Sequence, residues 1–461
     1  MRDLAITLVY LAYLSVGALV PFVAALGYVW VDTFSPQSVS YGLLSGVPVS
    51  LLAALVTLGS YMLLDRRVPP RPGLHFVLVL SMVVWVTLST FLWAALPDYA
   101  FAKWNWAVKT IAFSAFMPFF FRSRVQIEAF VLTWAFAAVI YIVPVGLKTM
   151  YGGGGYDVDL GVVAGNSLLS EGSTLSTVCA TFVPLLIWAR RHAQLVPERL
   201  RTPGFLGYAV ASGAAAIGTF ARTALIAFAV VAIGLMLRSR HKVLTLVLLG
   251  FAVLGGALIT GQRWDARMRT TETYSSDSSA LTRLEVWKWT LRYVEDHPLG
   301  GGFEAYRLDR IETPDGQGGT FVQVGRAYHN SFIEVLGEQG WIGLFIFLAL
   351  CARSLISLQR LRRKVRGVET FAWARDLAGA LQIALLAMMA GSCFIGVAFQ
   401  PIYWYLFALT ECVRQHVRRA ALGGVPAPTA AMVSYAPYPA APQPGSAALG
   451  TASTFSPAPL S

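Results

Sequence analysis

Apolar runs close to the length of a bilayer crossing follow one another along this chain, and one long polar interval, 261–330, interrupts them. The runs are continuous rather than alternating, so they predict helices and not the strands of a membrane barrel. About twelve spans are expected, near 4–30, 40–63, 74–96, 104–121, 125–147, 173–189, 205–219, 222–237, 243–260, 333–352, 374–396 and 399–413. Pro21 lies inside the first and offers a point where it could break into two half-helices. Four segments follow: a transmembrane bundle over 1–260, a polar loop over 261–331, further transmembrane helices over 332–415 and a tail over 416–461.

Composition agrees. The 461 residues are 56% hydrophobic and 13% charged, with mean hydropathy +0.60, against about 25% charged for a soluble domain. The expected class is an all-α polytopic membrane protein. The net charge of +12 collects in alternate connections: Arg66, Arg67 and Arg71; Arg122 and Arg124; Arg190 to Arg201; Arg238 to Lys242; Arg353 to Arg366; and Arg414 to Arg419. That alternation predicts cytoplasmic termini and an outward-facing loop 261–330. It is a topology signal with some attraction to anionic lipid; the clusters are too short and scattered for a nucleic-acid surface. Cys179, Cys351, Cys393 and Cys412 fall in or beside spans, without metal-ligand spacing and without a disulfide framework. Met1-Arg2-Asp3 runs into the first apolar segment with no cleavage site, so that segment reads as a retained span. From about Gly423 the chain is rich in Pro, Ala, Ser and Gly, and reads as a disordered cytoplasmic tail.

The candidate chemistry sits on the outward face. Glu171 stands where a helix enters the outer leaflet, placed to cap that helix or to meet an arginine. Arg222 occupies a tight outer turn, where inward topology does not explain it; its planar fork suits a phosphate. Leu281–Val294 has helical period, with Leu284, Trp287 and Leu291 on one face, and Arg283, Trp287 and Tyr293 suit an interfacial helix. Pro298-Leu299-Gly300-Gly301-Gly302 then permits a tight return; no strand precedes it, so it is not a nucleotide loop. Tyr328-His329-Asn330 closes the interval just before the next span. His329 can accept a proton near neutral pH. No other side chain is spaced to make it a metal ligand, and no serine-nucleophile motif is present.

In this order, Arg222-Thr223-Ala224-Leu225, then Arg283, Trp287, Pro298 to Gly302, and His329-Asn330-Ser331-Phe332 with Leu336, Glu338, Gly340 and Gly343, the chain resembles the O-antigen ligase and O-antigen polymerase superfamily. Met1-Arg2-Asp3-Leu4, Pro21-Phe22-Val23 and Tyr41-Gly42 further resemble its exosortase-associated O-glycosylation ligase branch. The resemblance covers about 1–415. It implies a GT-C-like membrane fold in the bacterial inner membrane. It also implies metal-independent transfer of a polyprenyl-diphosphate-linked glycan, without a cofactor, to a glycan, lipid or protein acceptor at the periplasmic face.

The residues admit that chemistry on their own terms. Arg222 and Arg283 could neutralise a departing diphosphate, and His329 could take the acceptor's proton. Trp287, Tyr328, Asn330 and Glu171 would complete the substrate site. Ligase and polymerase differ only in acceptor. A transporter or flippase of envelope precursors is the rival class; it requires charged or broken helices near the bilayer midplane, whereas the polar residues here gather at one face.

Overall fold

The computed structural model describes residues 2–40, 42–152, 169, 171–239, 242, 278–314 and 320–422. In chain order the helices are α1 (Arg2–Leu19), α2 (Pro21–Phe34), α3 (Pro36–Val39), α4 (Val49–Leu64), α5 (Leu74–Leu88), α6 (Pro97–Phe120), α7 (Arg124–Ala137) and α8 (Val139–Gly152). They continue with α9 (Gly172–His192), α10 (Glu198–Gly218), α11 (Arg222–Arg238), α12 (Ser278–Asp296), α13 (Ser331–Lys364), α14 (Ala372–Gly391) and α15 (Pro401–Leu422). Among the described residues five helices are long and apolar enough to cross a membrane, or six if the α7–α8 pair, bent by 50°, is one span. The span expected near 243–260 lies outside the described residues, as does the start of the polar loop.

Two departures from the sequence reading concern the ends of the chain. The first expected span breaks at Val20, ahead of Pro21, and folds back on itself. A Cβ on Gly17 would lie 2.6 Å from Ala24, and one on Gly27 would lie 2.8 Å from Tyr13. Tyr13 also stacks on Trp30 at 5.8 Å. Glycine at these positions lets the two helices approach closely, the usual device where packing rather than solvent exclusion drives association. This hairpin returns the chain to its start, so Arg2 Nη2 donates to the Val39 carbonyl at 2.6 Å and Ser40 Oγ donates to Asp3.

From there α4 descends to Tyr61, whose ring meets Phe119 and Phe120 beside Arg122. The Arg122 carbonyl accepts from Arg419 at 3.1 Å and bonds His416 at 2.9 Å. Arg2 and the end of α15 therefore lie at opposite ends of α4, which corrects the expectation that both termini share a side. The second departure is that α15 continues to Leu422, past the expected tail boundary at 416; residues 423–461 lie outside the described residues.

The remaining basic clusters gather with Arg122. Arg353 and Arg414 flank Glu411, Arg238 and Arg362 share the Gln382 amide oxygen, and Arg124 reaches the His192 carbonyl. Arg353 and Arg362 sit far along α13, 13 and 22 residues past Gly340, roughly 20 and 33 Å at 1.5 Å per residue. Its other end, Ser331, belongs to the polar loop. The bundle thus has a basic end and a loop end.

Within the loop the structure adds an element that the sequence reading lacked: an antiparallel pair, β1 (Arg310–Pro314) and β2 (Thr320–Val324), with Glu312 opposite Val322. It packs through Ile311 with Val286 and Tyr328 into a small separate core.

Candidate active site

α12 forms over a slightly longer stretch than its periodicity predicts. Its buried face is Val286, Thr290 and Val294, spaced four apart as one side of a helix requires. Leu284 and Leu291 point outward. Trp287 does not: its indole N–H donates to the Tyr328 carbonyl at 2.8 Å. One turn before it, Arg283 is half-buried. Tyr293 stacks between Trp289 and His297, at 4.9 and 4.3 Å.

The glycine turn that follows docks into a break in α13. Gly340 adopts φ +64° inside that helix, a backbone conformation that L side chains rarely take. The interruption frees carbonyls that would otherwise serve the next turn. Gly301 N–H donates to the Gly337 carbonyl at 3.0 Å and Gly302 N–H to that of Glu338 at 2.9 Å. The Trp85 indole serves Gln339 at 2.8 Å, and Trp341 N–H returns a bond to the Pro298 carbonyl. The two backbones are nearly in contact: a Cβ on Gly340 would lie 2.3 Å from the Pro298 oxygen, and one on Gly300 2.4 Å from the Gly340 nitrogen. This explains why the sequence spends glycines here.

Below the turn lies an ion cluster. Lys103 of α6 reaches Glu334 at 2.7 Å, Glu338 at 2.9 Å and Glu304 at 3.9 Å. Its ammonium also lies 5.6 and 5.3 Å from the ring centroids of Phe303 and Phe399. Glu334 also accepts from Ala398 N–H at 3.2 Å. Glu338, fully buried, accepts from Glu304 N–H at 3.0 Å. One cation thus ties α6, the glycine turn, α13 and the segment before α15 together. Sequence reading named Glu338 for position only and gave no role to Lys103, Glu304 or Glu334. Lys103 stands just before the span expected at 104–121, where a lysine at a span edge needs no special explanation, so the sequence offered little signal.

Lys103, Glu304 and Glu334 line a cavity of about 370 Å³ together with Glu171, Tyr328 and His329. His329 sits at the start of α13 with φ +46°, a strained setting for a residue with a side chain. Its ring keeps an exposed edge. The surrounding protein, then Arg283 and Arg326, hold its pKa below the usual imidazole value, against an opposing pull from Glu171. Arg283 makes no ion pair or side-chain hydrogen bond among the described residues. Arg326, which sequence reading passed over, is exposed beside it.

The other expected site residues take different places. Asn330 caps α13, its side-chain oxygen accepting from Phe332 and Ile333 N–H at 2.9 and 3.2 Å, which is a structural task. Glu171 caps α9 by accepting from Ser173 and Thr174 N–H at 3.1 and 2.8 Å, and still borders the cavity. The Tyr328 hydroxyl is buried against Gly337, where a Cβ would come within 2.5 Å. Burial raises its pKa well above the usual phenol value, so it remains a protonated wall. Arg222 is the first residue of α11, after a turn in which Phe220 has φ +51°. That turn packs on the start of α9: a Cβ on Gly172 would lie 3.2 Å from the Thr219 side chain, and the Thr223 and Ser176 hydroxyls are 3.5 Å apart. Arg222 therefore opens at the loop end with Glu171, although it does not line the cavity.

These features define a helical membrane protein with a cation-flanked histidine cavity at one end of its bundle. Residues 207–348 match the O-antigen ligase family, the stretch that holds Arg222, Arg283 and His329. That match supports assignment of this part of the chain to the O-antigen ligase superfamily, and with it an O-antigen ligase-type role in envelope polysaccharide biosynthesis. Residues 1–194 match a family of unknown function (DUF5935). None of the curated proteins compared with the chain matches it.

Proposed function

We propose that the protein transfers a glycan from a polyprenyl-diphosphate carrier to an acceptor hydroxyl at the periplasmic face of the bacterial inner membrane. The observation that carries this reading is His329, held in strained backbone at the mouth of a cavity and close enough to Arg283 and Arg326 to feel both charges.

Burial, then Arg283 and Arg326, depress the pKa of His329, and a depressed pKa leaves the imidazole neutral near pH 7, ready to act as a base. It takes the proton of the acceptor hydroxyl as that oxygen bonds to the anomeric carbon. The bond from that carbon to the diphosphate oxygen breaks in the same displacement, with inversion, and polyprenyl diphosphate leaves. Arg283 and Arg326 meet the charge that develops on the leaving group, and Arg222 adds a third guanidinium from the α11 start. Fixed cations aimed at developing charge are the largest single aid to such a step. The Lys103 cluster contributes rigidity by fixing the cavity floor beneath the histidine. The basic end, opposite the cavity, supports a cytoplasmic placement for that end and a periplasmic one for the site.

The test is reconstitution in vesicles with a purified polyprenyl-diphosphate glycan and a candidate acceptor: lipid A core, protein or a second lipid-linked glycan. Transfer with release of polyprenyl diphosphate supports the proposal and identifies the acceptor. Movement of the intact donor across the bilayer without cleavage would establish a flippase instead.

A further inference from the structure

A second cavity of about 370 Å³ adjoins the first. Trp106 and Gln400 line both, so the two volumes share a wall. The second is bounded by the end of α2, α3, the start of α4 and the middle of α6. Apart from Gln400 and Pro401, its wall falls within 1–194, the stretch that matches a family of unknown function.

Three observations mark it as a built site. Asp32 is fixed in its wall, its carboxylate accepting from Thr110 at 3.0 Å and Tyr405 at 2.7 Å. The Gln37 side-chain oxygen is buried there with no hydrogen-bond partner, a deficit that a ligand donor can relieve. Ser35, also in the wall, has φ +51° immediately before Pro36, a setting disfavoured both by its side chain and by the following proline. Only Ser35, Phe220, Glu304 and His329 are non-glycine residues with positive φ among the described residues. Three of them line one of the two cavities and the fourth precedes Arg222, and strain of this kind clusters at functional sites.

The chemistry of the wall is that of a neutral, hydroxyl-rich ligand. It offers an orphan amide oxygen, serine hydroxyls, a fixed carboxylate and Lys109, whose ammonium has no partner among the described residues. Trp106, 39% exposed, presents a ring on the shared wall, a platform for the apolar face of a pyranose. We propose that this second cavity is a carbohydrate subsite. It holds sugar units of a glycan whose reacting end lies in the His329 cavity, so that the N-terminal region supplies the enzyme's glycan selectivity. The inference rests on the transferase reading for the direction of the chain, and on the cavity itself for binding.

The probe is glycan freed from its lipid by mild acid hydrolysis of the cell's own polyprenyl-diphosphate pool. Its binding to the full-length protein in nanodiscs is measured by calorimetry, beside KM and kcat for transfer. Trp106→Ala is expected to weaken glycan binding about 3- to 10-fold and to raise KM by a similar factor, with kcat nearly unchanged. Trp106→Phe should restore most of both. A rise in KM for acceptor places the acceptor's sugars in the cavity; a rise confined to multi-repeat donor places the donor's distal sugars there. Lys109→Met, a half-buried wall position outside the core, should weaken binding without loss of folded protein. Unchanged glycan affinity and KM in both Trp106→Ala and Lys109→Met would overturn the subsite. His329→Ala separates the two readings: it should abolish transfer yet bind glycan like wild type, and retained transfer there would refute the base without touching the subsite.

Discussion

Gly340→Ala puts the docking of the glycine turn into α13 to a direct test. The new methyl would meet the Pro298 oxygen at 2.3 Å, the Leu299 carbonyl carbon at 2.4 Å and the Gly300 nitrogen at 2.6 Å. All three are backbone atoms and none can swing aside. An L residue at φ +64° costs about 1–2 kcal/mol, and forced overpacking about 1–3 kcal/mol more. Relief by withdrawing the turn would break the bonds from Gly301, Gly302 and Trp341, each worth about 1 kcal/mol. The expected loss is therefore about 2–5 kcal/mol, large against the roughly 5–15 kcal/mol of a folded domain. The assay is thermal unfolding of the purified protein in nanodiscs, with transfer measured on the surviving folded fraction. Transfer should fall as well, because the turn positions Glu304 and the cavity floor. Gly59→Ala is the control: it lies in α4 with nothing within 4 Å of the added carbon and should change stability by less than about 1 kcal/mol. A Gly340→Ala protein that melts and transfers like the control would refute the argument that backbone contact at the break sets the site.

Transfer should lose rate on acidification through a pKa below the usual imidazole value of about 6.5, because protonation removes the base. Arg283→Gln removes one of the causes that depress it, so the acid limb of kcat should move to higher pH; an unmoved limb would show that another group titrates. Lys103→Met strands the carboxylates of Glu334 and Glu338 and should cost about 3–5 kcal/mol. Adding Glu338→Gln should recover part of it, and additive losses would contradict the cluster. Because Arg2 lies with Val39, single cysteines at Gly42 and Arg66 in a background without native cysteines should differ. An impermeant thiol reagent on intact cells should label the first and spare the second, and the reverse would invert the bundle.

Much of the site was legible because rare residue types stood in places that apolar segments do not explain. Arg222 just after a tight turn, His329 before a span and the Pro298 to Gly302 run all declare themselves in one dimension. The interior partners did not. Lys103 stands at the edge of an expected span, and its meaning depends on Glu334 and Glu338, more than 230 positions away. The sequence reading gave Asn330 and Trp287 to substrate from their places in the motif order, and it did not show that both also make hydrogen bonds to backbone. The N-terminal hairpin was half visible: Pro21 marked the break, but fold-back depends on Gly17 and Gly27 meeting Ala24 and Tyr13. A hydropathy window cannot register that contact, and so the two termini were read onto one side.

The central claim, that His329 is the base of a glycan transfer, is most directly tested with His329→Ala in the purified donor assay at equal protein abundance. Predicted is a fall in transfer of about 10²–10⁴-fold with affinity for the polyprenyl-diphosphate donor retained, since Arg222, Arg283 and Arg326 remain. Near-normal transfer by this variant would contradict the account.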